Sequence, residues 1–412
     1  MRQTTTTPAP GRSNRRAFLH RSLGTTAGTA LGFTAAASPA LAPAGGFFVA
    51  GDDRLRVGLI GCGGRGTGAA IQAAAADPGV RITALGDLFA DQLASSCRVL
   101  AADIPAQFDC PAERRFVGAD AYRGVIEAGV DVVLLAAPPH VRPLHVEAAV
   151  RAGKHLYCEK PVAVDAAGAR RVADACRLAR AAGLSIVSGL CFRRDAATVE
   201  AVARIRDGRI GRPLAARARA EIGLPWRVPA AVDGLADEWR LRNWIAFRRF
   251  SGGAFVEHHI HAIDRAVWAL GDDVPVSAVG RPLPVRRDGL SLGDCLAGVS
   301  ATFTFADGRR LEAACRRAER AVTGHGVEET VIGTESTFDL RPGPWPRGRG
   351  MAANPYQAGM CELVGSVRSA AAVNDGFPMC RSTMMAIMGR EAAESGRLVT
   401  WAEIAGSDRW IA

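Results

Sequence analysis

Lysine is almost absent: only two of the 51 basic residues are Lys, at positions 154 and 160. A chain that writes Arg wherever a plain positive charge suffices keeps Lys where a compact, titratable amine is needed. No stretch of 18 uncharged, strongly apolar residues occurs, which excludes a polytopic membrane protein. No Lys/Arg-rich run of five or more occurs either. Pairs such as Arg193–Arg194, Arg248–Arg249 and Arg316–Arg317 read as solvated surface, so the +10 formal charge carries no nucleic-acid stripe. The ten Cys show no C-x-x-C spacing, which argues against structural zinc and for buried free thiols. No internal repeat is visible. What remains is an ordinary globular composition, 48% hydrophobic and 22% charged, in a chain of 412 residues. That exceeds what one core fills, so two domains are expected.

Residues 1–42 hold five Arg and no acid, and outside them 46 basic residues face 41 acidic ones. Asn14-Arg15-Arg16-Ala17-Phe18-Leu19 resembles the twin-arginine export motif. A weakly apolar stretch follows at 22–37, then Ser38-Pro39-Ala40-Leu41-Ala42 with small residues at the A-x-A positions. The expectation is a signal peptide read by the twin-arginine translocon, a periplasmic or otherwise exported protein, and no stable membrane anchor after cleavage. The bland alternative is a disordered tail or a short core helix. The twin-arginine route carries folded proteins, so the thiols would stay reduced during folding.

Residues 43–53 read as a linker. From 54 to 192, short apolar runs alternate with amphipathic helices. Strands are expected at 55–60, 80–86, 131–136, 155–158 and 184–189, and helices at 65–76, 88–101, 145–152 and 165–182. This rhythm implies an α/β fold with a doubly wound parallel sheet, a Rossmann domain. After 193 the rhythm changes. A helix at 195–206 leads into antiparallel-type strands at 214–222, 274–285, 296–305, 309–315 and 327–340. Helices interrupt them at 241–247 and 254–270, residues 342–353 look like a loop, and helices return at 354–370 and 383–395. Residues 193–412 are therefore expected to form a second, substrate-binding α/β domain, and its last helices are candidates to pack back on the first.

Gly61-Cys62-Gly63-Gly64-Arg65-Gly66 sits between an expected strand and an expected helix. This is G-x-G-x-x-G in its proper context. Gly61 would make the tight turn, Gly63 would admit a pyrophosphate, Gly66 would let helix and strand pack, and the helix N-terminus would stabilise the anion. Asp87 ends the second strand and suits ribose hydroxyls, which favours NAD over NADP. The bland reading is a Gly-rich loop in a sheet that binds no nucleotide. Glu159-Lys160-Pro161 closes a strand and puts Lys160 at the crevice edge, where ligands bind in such sheets.

Taken together, the chain resembles the Gfo/Idh/MocA oxidoreductases, named for glucose–fructose oxidoreductase, inositol dehydrogenase and a rhizopine catabolism protein. The pieces that carry the likeness are the Gly-rich turn, Ala137-Pro138-Pro139-His140 with His145, and Ala152-Gly153-Lys154-His155. They continue with Glu159-Lys160-Pro161, Gly252-Gly253 before Glu257-His258-His259-Ile260-His261 and Asp264, Asn354-Pro355-Tyr356, and Ala386 to Arg390. The resemblance implies a Rossmann domain followed by an α/β domain with an open, mostly antiparallel sheet. It implies pyridine-nucleotide-dependent oxidation or reduction of sugars and polyols, and, by analogy, a dimer or tetramer. It places the lysine of the E-K-P motif beside the nicotinamide ribose and the substrate. The family's D-x-x-x-H is Glu257-x-x-x-His261 here, an acid one methylene longer.

Spacing adds its own argument. On one continuous helix, Glu257, His261 and Asp264 would share a face. His261 would serve as base, a neighbouring carboxylate would orient it, and Lys160 would stabilise alkoxide charge. The expected catalytic set is thus Lys160, His261, Glu257 and Asp264. The expected cofactor set is Gly61, Cys62, Gly63, Gly64, Arg65, Gly66, Asp87, Pro138, His140, Glu159 and Lys160. Other readings stay open: zinc held by His258, His261 and Glu257, or histidines that merely cap a domain interface. His140 could equally be surface-exposed, and Tyr157 is read as packing. Trp239 and Trp244 are the better candidates for stacking on a sugar, and Arg193 and Arg194 could meet a substrate. The expected activity is exported, NAD-dependent hydride transfer at a secondary hydroxyl of a sugar or polyol. The alternatives are glycoside cleavage by transient oxidation and elimination, and a noncatalytic sugar- or nucleotide-binding protein.

Overall fold

A computed structural model describes residues 53–226, 228, 236–284, 293–318, 328–340 and 354–408. The expected export segment (1–42), nearly all of the linker and the loop at 342–353 lie outside the described residues.

The strands of the first sheet are β1 (Leu55–Ile60), β2 (Val80–Asp87), β3 (Arg115–Val117), β4 (Val132–Leu135), β5 (His155–Cys158) and β6 (Ile186–Ser188). Helices α1 (Gly64–Ala76), α2 (Ala90–Asp103), α3 (Ala121–Glu127), α4 (Arg142–Arg151) and α5 (Ala166–Ala181) separate them. The order is β3-β2-β1-β4-β5-β6, and every pairing is parallel. The order reverses between β1 and β4, so a crevice opens beyond the carboxyl ends of those strands. Val132-Val133-Leu134-Leu135 is buried on both faces, as a central parallel strand requires. Asp165 caps α5 by accepting from the Gly168 amide at 2.8 Å. The short edge strand β3 was not expected, because three residues show too little alternation to be read.

The chain then forms α6 (Ala196–Arg206), β7 (Pro213–Gly223), α7 (Ala236–Arg242), α8 (Arg248–Ser251), α9 (Ala254–Glu257), α10 (Ile260–Ala269), β8 (Ser277–Pro282), β9 (Gly298–Thr304), β10 (Arg310–Ala318), β11 (Glu328–Gly333) and β12 (Thr337–Asp339). It closes with α11 (Pro355–Arg368), α12 (Gly376–Ser395), β13 (Val399–Thr400) and α13 (Trp401–Gly406). The second sheet has the order β12-β11-β7-β10-β9-β8-β13. Only β7 and β10 pair in parallel. In β10, Leu311, Ala313 and Cys315 point inward and alternate with half-buried residues, the pattern of a sheet with one covered face. The expected strand at 327–340 is a hairpin, β11 and β12, turning at 334–336. Helix α12 starts seven residues before the expected 383, because Pro378 falls in its first turn, where a missing N–H costs nothing.

Helix α11 returns to the first sheet. Its Met360, Leu363 and Val364 share a buried cluster with Val57, Leu59, Ile82 and Leu134. All ten Cys are free thiols; eight are buried, Cys295 is half-buried and Cys361 is exposed. Among the described residues, no helix is long and apolar enough to cross a membrane.

Candidate active site

The Gly-rich turn links β1 to α1. Gly61 has φ +96°, and a Cβ there would sit 2.4 Å from the Ala137 amide nitrogen. A Cβ on Gly66 would fall 1.8 Å from the Gly61 carbonyl oxygen, so helix and strand could not approach. Gly63 and Gly64 differ: nothing lies within 4 Å of an added Cβ, because both face a cavity of about 600 Å³. The first turn of α1 has no side-chain cap and no acid, so its amides point at that cavity unsatisfied. This is an anion cradle of the kind a pyrophosphate fills.

Eight of the eleven expected cofactor residues line the cavity: Gly61, Gly63, Gly64, Arg65, Gly66, Asp87, Pro138 and His140. Cys62 does not. Its thiol turns into the core, 3.5 Å from the Gly86 carbonyl, and burial pushes it well up. Its contribution is the amide, which donates to Asp87 Oδ2 at 2.6 Å, while the Phe89 amide donates to Oδ1 at 2.8 Å. Burial holds the Asp87 carboxyl above the usual range, and those amides oppose it. The carboxylate keeps lone pairs free at the cavity wall, the acceptors that ribose hydroxyls need.

Sequence reasoning missed part of the wall. Trp226, Val228, Leu241 and Arg242 come from the second domain, and Tyr122 from the first. Arg242 lies 4.0 Å over the Phe89 ring and donates to both Asp91 oxygens at 3.0 Å, tying α7 to the loop after β2. Trp244 lines the cavity as a stacking candidate should, but Trp239 donates its indole N–H to the Val228 carbonyl at 3.0 Å. Tyr122 stacks on His145 at 4.5 Å. Burial lowers His145 to about 3 and His140 to about 4, so both stay neutral, each with an unpartnered Nδ1.

Glu159 and Lys160 leave the end of β5 at the same crevice. Neither lines the cavity itself. Glu159 is buried; it accepts from the Lys160 amide at 3.1 Å and from the Tyr157 hydroxyl at 3.3 Å, and Arg65 Nε lies 3.4 Å away. It therefore joins the Gly-rich turn to the lysine. Lys160 Nζ crosses to the second domain, donating to Glu257 Oε1 at 2.7 Å and to the Glu257 carbonyl at 2.5 Å. Burial alone would raise the Glu257 carboxyl, but the Lys160 ammonium and His258 outweigh it and hold it well below the usual range. Lys154 sits at the opposite end of β5, with Asp131 and Arg56 as charged neighbours, and takes no part.

The expected continuous helix at 254–270 is two helices, α9 and α10, with a turn at His258–His259. The His259 amide reaches back five residues to the Ala254 carbonyl, and the ladder restarts with Ala262 donating to His259 three residues back. The cause is local: buried His259 is pinned to β7 through a 3.0 Å contact between Nε2 and the Ala218 carbonyl, and packs on Phe255. The i, i+4 face therefore does not form. Glu257 turns to Lys160, and His258 Nδ1 comes within 2.7 Å of Glu257 Oε2. The His261 ring packs edge-on to Phe192 at 5.2 Å, with Nδ1 unpartnered. Burial, then the Lys160 and Arg265 cations, hold His261 neutral.

Asp264 is placed elsewhere. It is 1% exposed; Arg193 donates to it at 2.8 to 3.1 Å, and so does the Ser382 hydroxyl at 2.7 Å. Its oxygens are occupied by this network, so it does not orient His261. Arg193 also pairs with Asp272, and Arg194 with Glu362 and Asp375, which leaves neither guanidinium for a substrate. Among the described residues, no three His, Cys, Asp or Glu side chains are grouped to hold a metal ion.

Known proteins share the two-domain fold. The chain matches GFO_IDH_MocA, "Oxidoreductase family, NAD-binding Rossmann fold", over residues 55–184. It matches the companion "Oxidoreductase family, C-terminal alpha/beta domain" over residues 202–353. Together the matches span well over half of the sequence. Among curated relatives, 1,5-anhydro-D-fructose reductase of Ensifer adhaerens is 30% identical over 210 residues, covering 50% of this chain and 57% of that protein. Inositol 2-dehydrogenase of Acidiphilium cryptum is 29% identical over 233 residues, covering 57% and 59%. The chain thus spans less than two thirds of these relatives' own length. Among solved structures, scyllo-inositol dehydrogenase of Lactobacillus casei with bound NAD(H) and scyllo-inositol superposes with TM-score 0.66 at 18% identity, covering 85% of this chain and 99% of that one. Levoglucosan dehydrogenase in complex with NADH and levoglucosan gives TM-score 0.64 at 19% identity, covering 84% and 99%. At these identities the likeness shows the fold.

Proposed function

The chain belongs to the Gfo/Idh/MocA oxidoreductase family, and on that premise we propose that it is an NAD-dependent oxidoreductase acting on a secondary hydroxyl of a sugar or polyol. The observation that carries the reading is the juxtaposition of a pyrophosphate-shaped cradle with a half-buried ammonium held across the crevice by Glu257. A bound nicotinamide supplies the hydride acceptor or donor. The protein supplies the rest. Lys160 donates to the substrate oxygen and stabilises its developing negative charge. Glu257 accepts from that ammonium and aims it. His261, held neutral, takes the hydroxyl proton in the oxidising direction. Asp87 presents acceptors to the adenosine ribose, and no Arg immediately follows it to meet a 2′-phosphate, which supports NAD as the cofactor. The activities of the relatives, an anhydrofructose reductase and inositol dehydrogenases, support a cyclic polyol or sugar as substrate. The Asn14-to-Leu19 motif supports export by the twin-arginine route.

The test is to release and identify the dinucleotide from the purified protein, then screen polyols and sugars at the nicotinamide absorbance. Bound NAD and turnover with at least one cyclic polyol or sugar are expected. A protein that binds no pyridine nucleotide refutes the proposal.

A further inference from the structure

The slip between α9 and α10 has a chemical result at position 258. Glu257 has two carboxylate oxygens and a partner on each. Lys160 Nζ donates to Oε1 at 2.7 Å, and His258 Nδ1 lies 2.7 Å from Oε2. This second contact is an ion-pair contact and does not meet hydrogen-bond geometry. Exposure separates the three side chains: Lys160 is 13% exposed and Glu257 11%, whereas His258 is 35% exposed. Nδ1 is buried beside the carboxylate, whereas Nε2 is not a buried, unpartnered atom. A carboxylate that fixes one ring nitrogen leaves the other to exchange protons. His261 has no such arrangement: of the two acids expected on its face, Glu257 turns to Lys160 and His258, and Asp264 is held by Arg193 and Ser382.

Oxidising a carbinol releases one proton for each hydride. A proton taken up by His261 lands beside the Lys160 and Arg265 cations, in a buried place that cannot keep it. We propose that His258, set against Glu257, is the residue through which this site exchanges its proton with solvent. The inference rests on the oxidoreductase reading. In the oxidising direction, a water in the cleft accepts a proton from the inner site as it passes one to His258 Nε2. His258 becomes an imidazolium beside the Glu257 carboxylate, then releases that proton to buffer. Glu257 stays ionised throughout, and Lys160 and His258 return to their starting states. The sum is one proton moved from the carbinol to bulk water; in the reducing direction the steps run backwards. The charged and titratable groups around the dyad are Lys160 after β5, His261 on α10, and Arg317 of β10 and Arg142 of α4, whose charges both feel Glu257.

Two measurements test this. The first is nitrogen NMR of histidine-labelled protein without substrate. The His258 ring signals are expected to move in Glu257→Gln, while His259 and His261 stay neutral from pH 5 to 8. A His258 signal unmoved by Glu257→Gln overturns the proposal whether or not a substrate is known. The second is the turnover of His258→Ala. Loss of about 10²-fold in kcat is expected from removing an acid–base group, with unchanged dinucleotide affinity and partial rescue by added imidazole in proportion to its concentration. Wild-type turnover in dilute buffer, or a loss that imidazole does not restore, overturns it. If the NMR result holds but wild-type protein transfers no hydride with any polyol or sugar, the oxidoreductase reading fails and the proton-exchanging dyad does not.

Discussion

Mild acid is expected to unfold this protein, and its histidines set the size of the effect. Burial pushes His140 and His259 down to about 4 and His145 to about 3. His155 and His261 shift in the same direction, again through burial. In the unfolded chain each titrates near 6.5. The unfolded state therefore binds the extra proton first. The stability each group contributes is complete above about pH 6.5 and is lost as pH falls toward its folded value. At pH 5, 1.5 units below the unfolded value, each of the three histidines with a stated value removes roughly 2 kcal/mol. Together they remove about 6 kcal/mol, comparable to the whole stability of many domains. Paired carboxylates such as Asp77, Asp91 and Asp272 are held below their usual range and act only at still lower pH. Asp87, raised by burial, runs the other way but is a single group. The assay is urea unfolding at constant ionic strength, without added dinucleotide, from pH 7.5 to 5. Stability should fall by about 4 kcal/mol per pH unit below pH 6, and by about 1.4 kcal/mol per unit less in His145→Phe, which keeps an aromatic ring against Tyr122. A flat profile to pH 5 would refute the assignment of these imidazoles as buried and neutral.

Asp264→Asn removes a buried charge facing Arg193, which retains Asp272 as a second partner. A loss of about 3 kcal/mol in unfolding free energy is expected, with kcat and KM of the folded fraction within a factor of about two. A collapse of kcat at wild-type stability would return Asp264 to the catalytic set. Asp87→Ala should weaken NAD binding by about tenfold or more, the effect of losing at least one charge-assisted ribose contact. Unchanged affinity by calorimetry would remove Asp87 from the site.

The first sheet was legible because its signals are local. Buried runs such as Val132–Leu135, punctuated by glycines, show the strand–helix rhythm directly, and Gly61 and Gly66 each have a separate steric reason to lack a side chain. Edge strands β3 and β13, of three and two residues, carry no period to read. The site was legible in its residues but not in its partnerships. Lys160 and Glu257, 97 positions apart, meet through the fold, whereas the spacing of Glu257, His261 and Asp264 implied a helical face that the pinning of His259 to β7 dissolves. Arg193 looked available in sequence and is taken by Asp264 and Asp272. Trp226 and Arg242 carry no motif: Arg242 reaches the cavity through the approach of α7 to Phe89 and Asp91, and Trp226, past the end of β7, packs edge-on to Trp244.

The central claim is that the crevice holding Lys160 moves hydride from a carbinol carbon to a nicotinamide. A cyclic polyol deuterated at its carbinol positions, incubated with the holoprotein, tests it by mass spectrometry of the released dinucleotide. One deuterium on the reduced nicotinamide is expected with wild-type protein, and none with Lys160→Met although that variant still binds NAD. Label transferred equally well by Lys160→Met, or unlabelled reduced dinucleotide from wild-type protein, would contradict it.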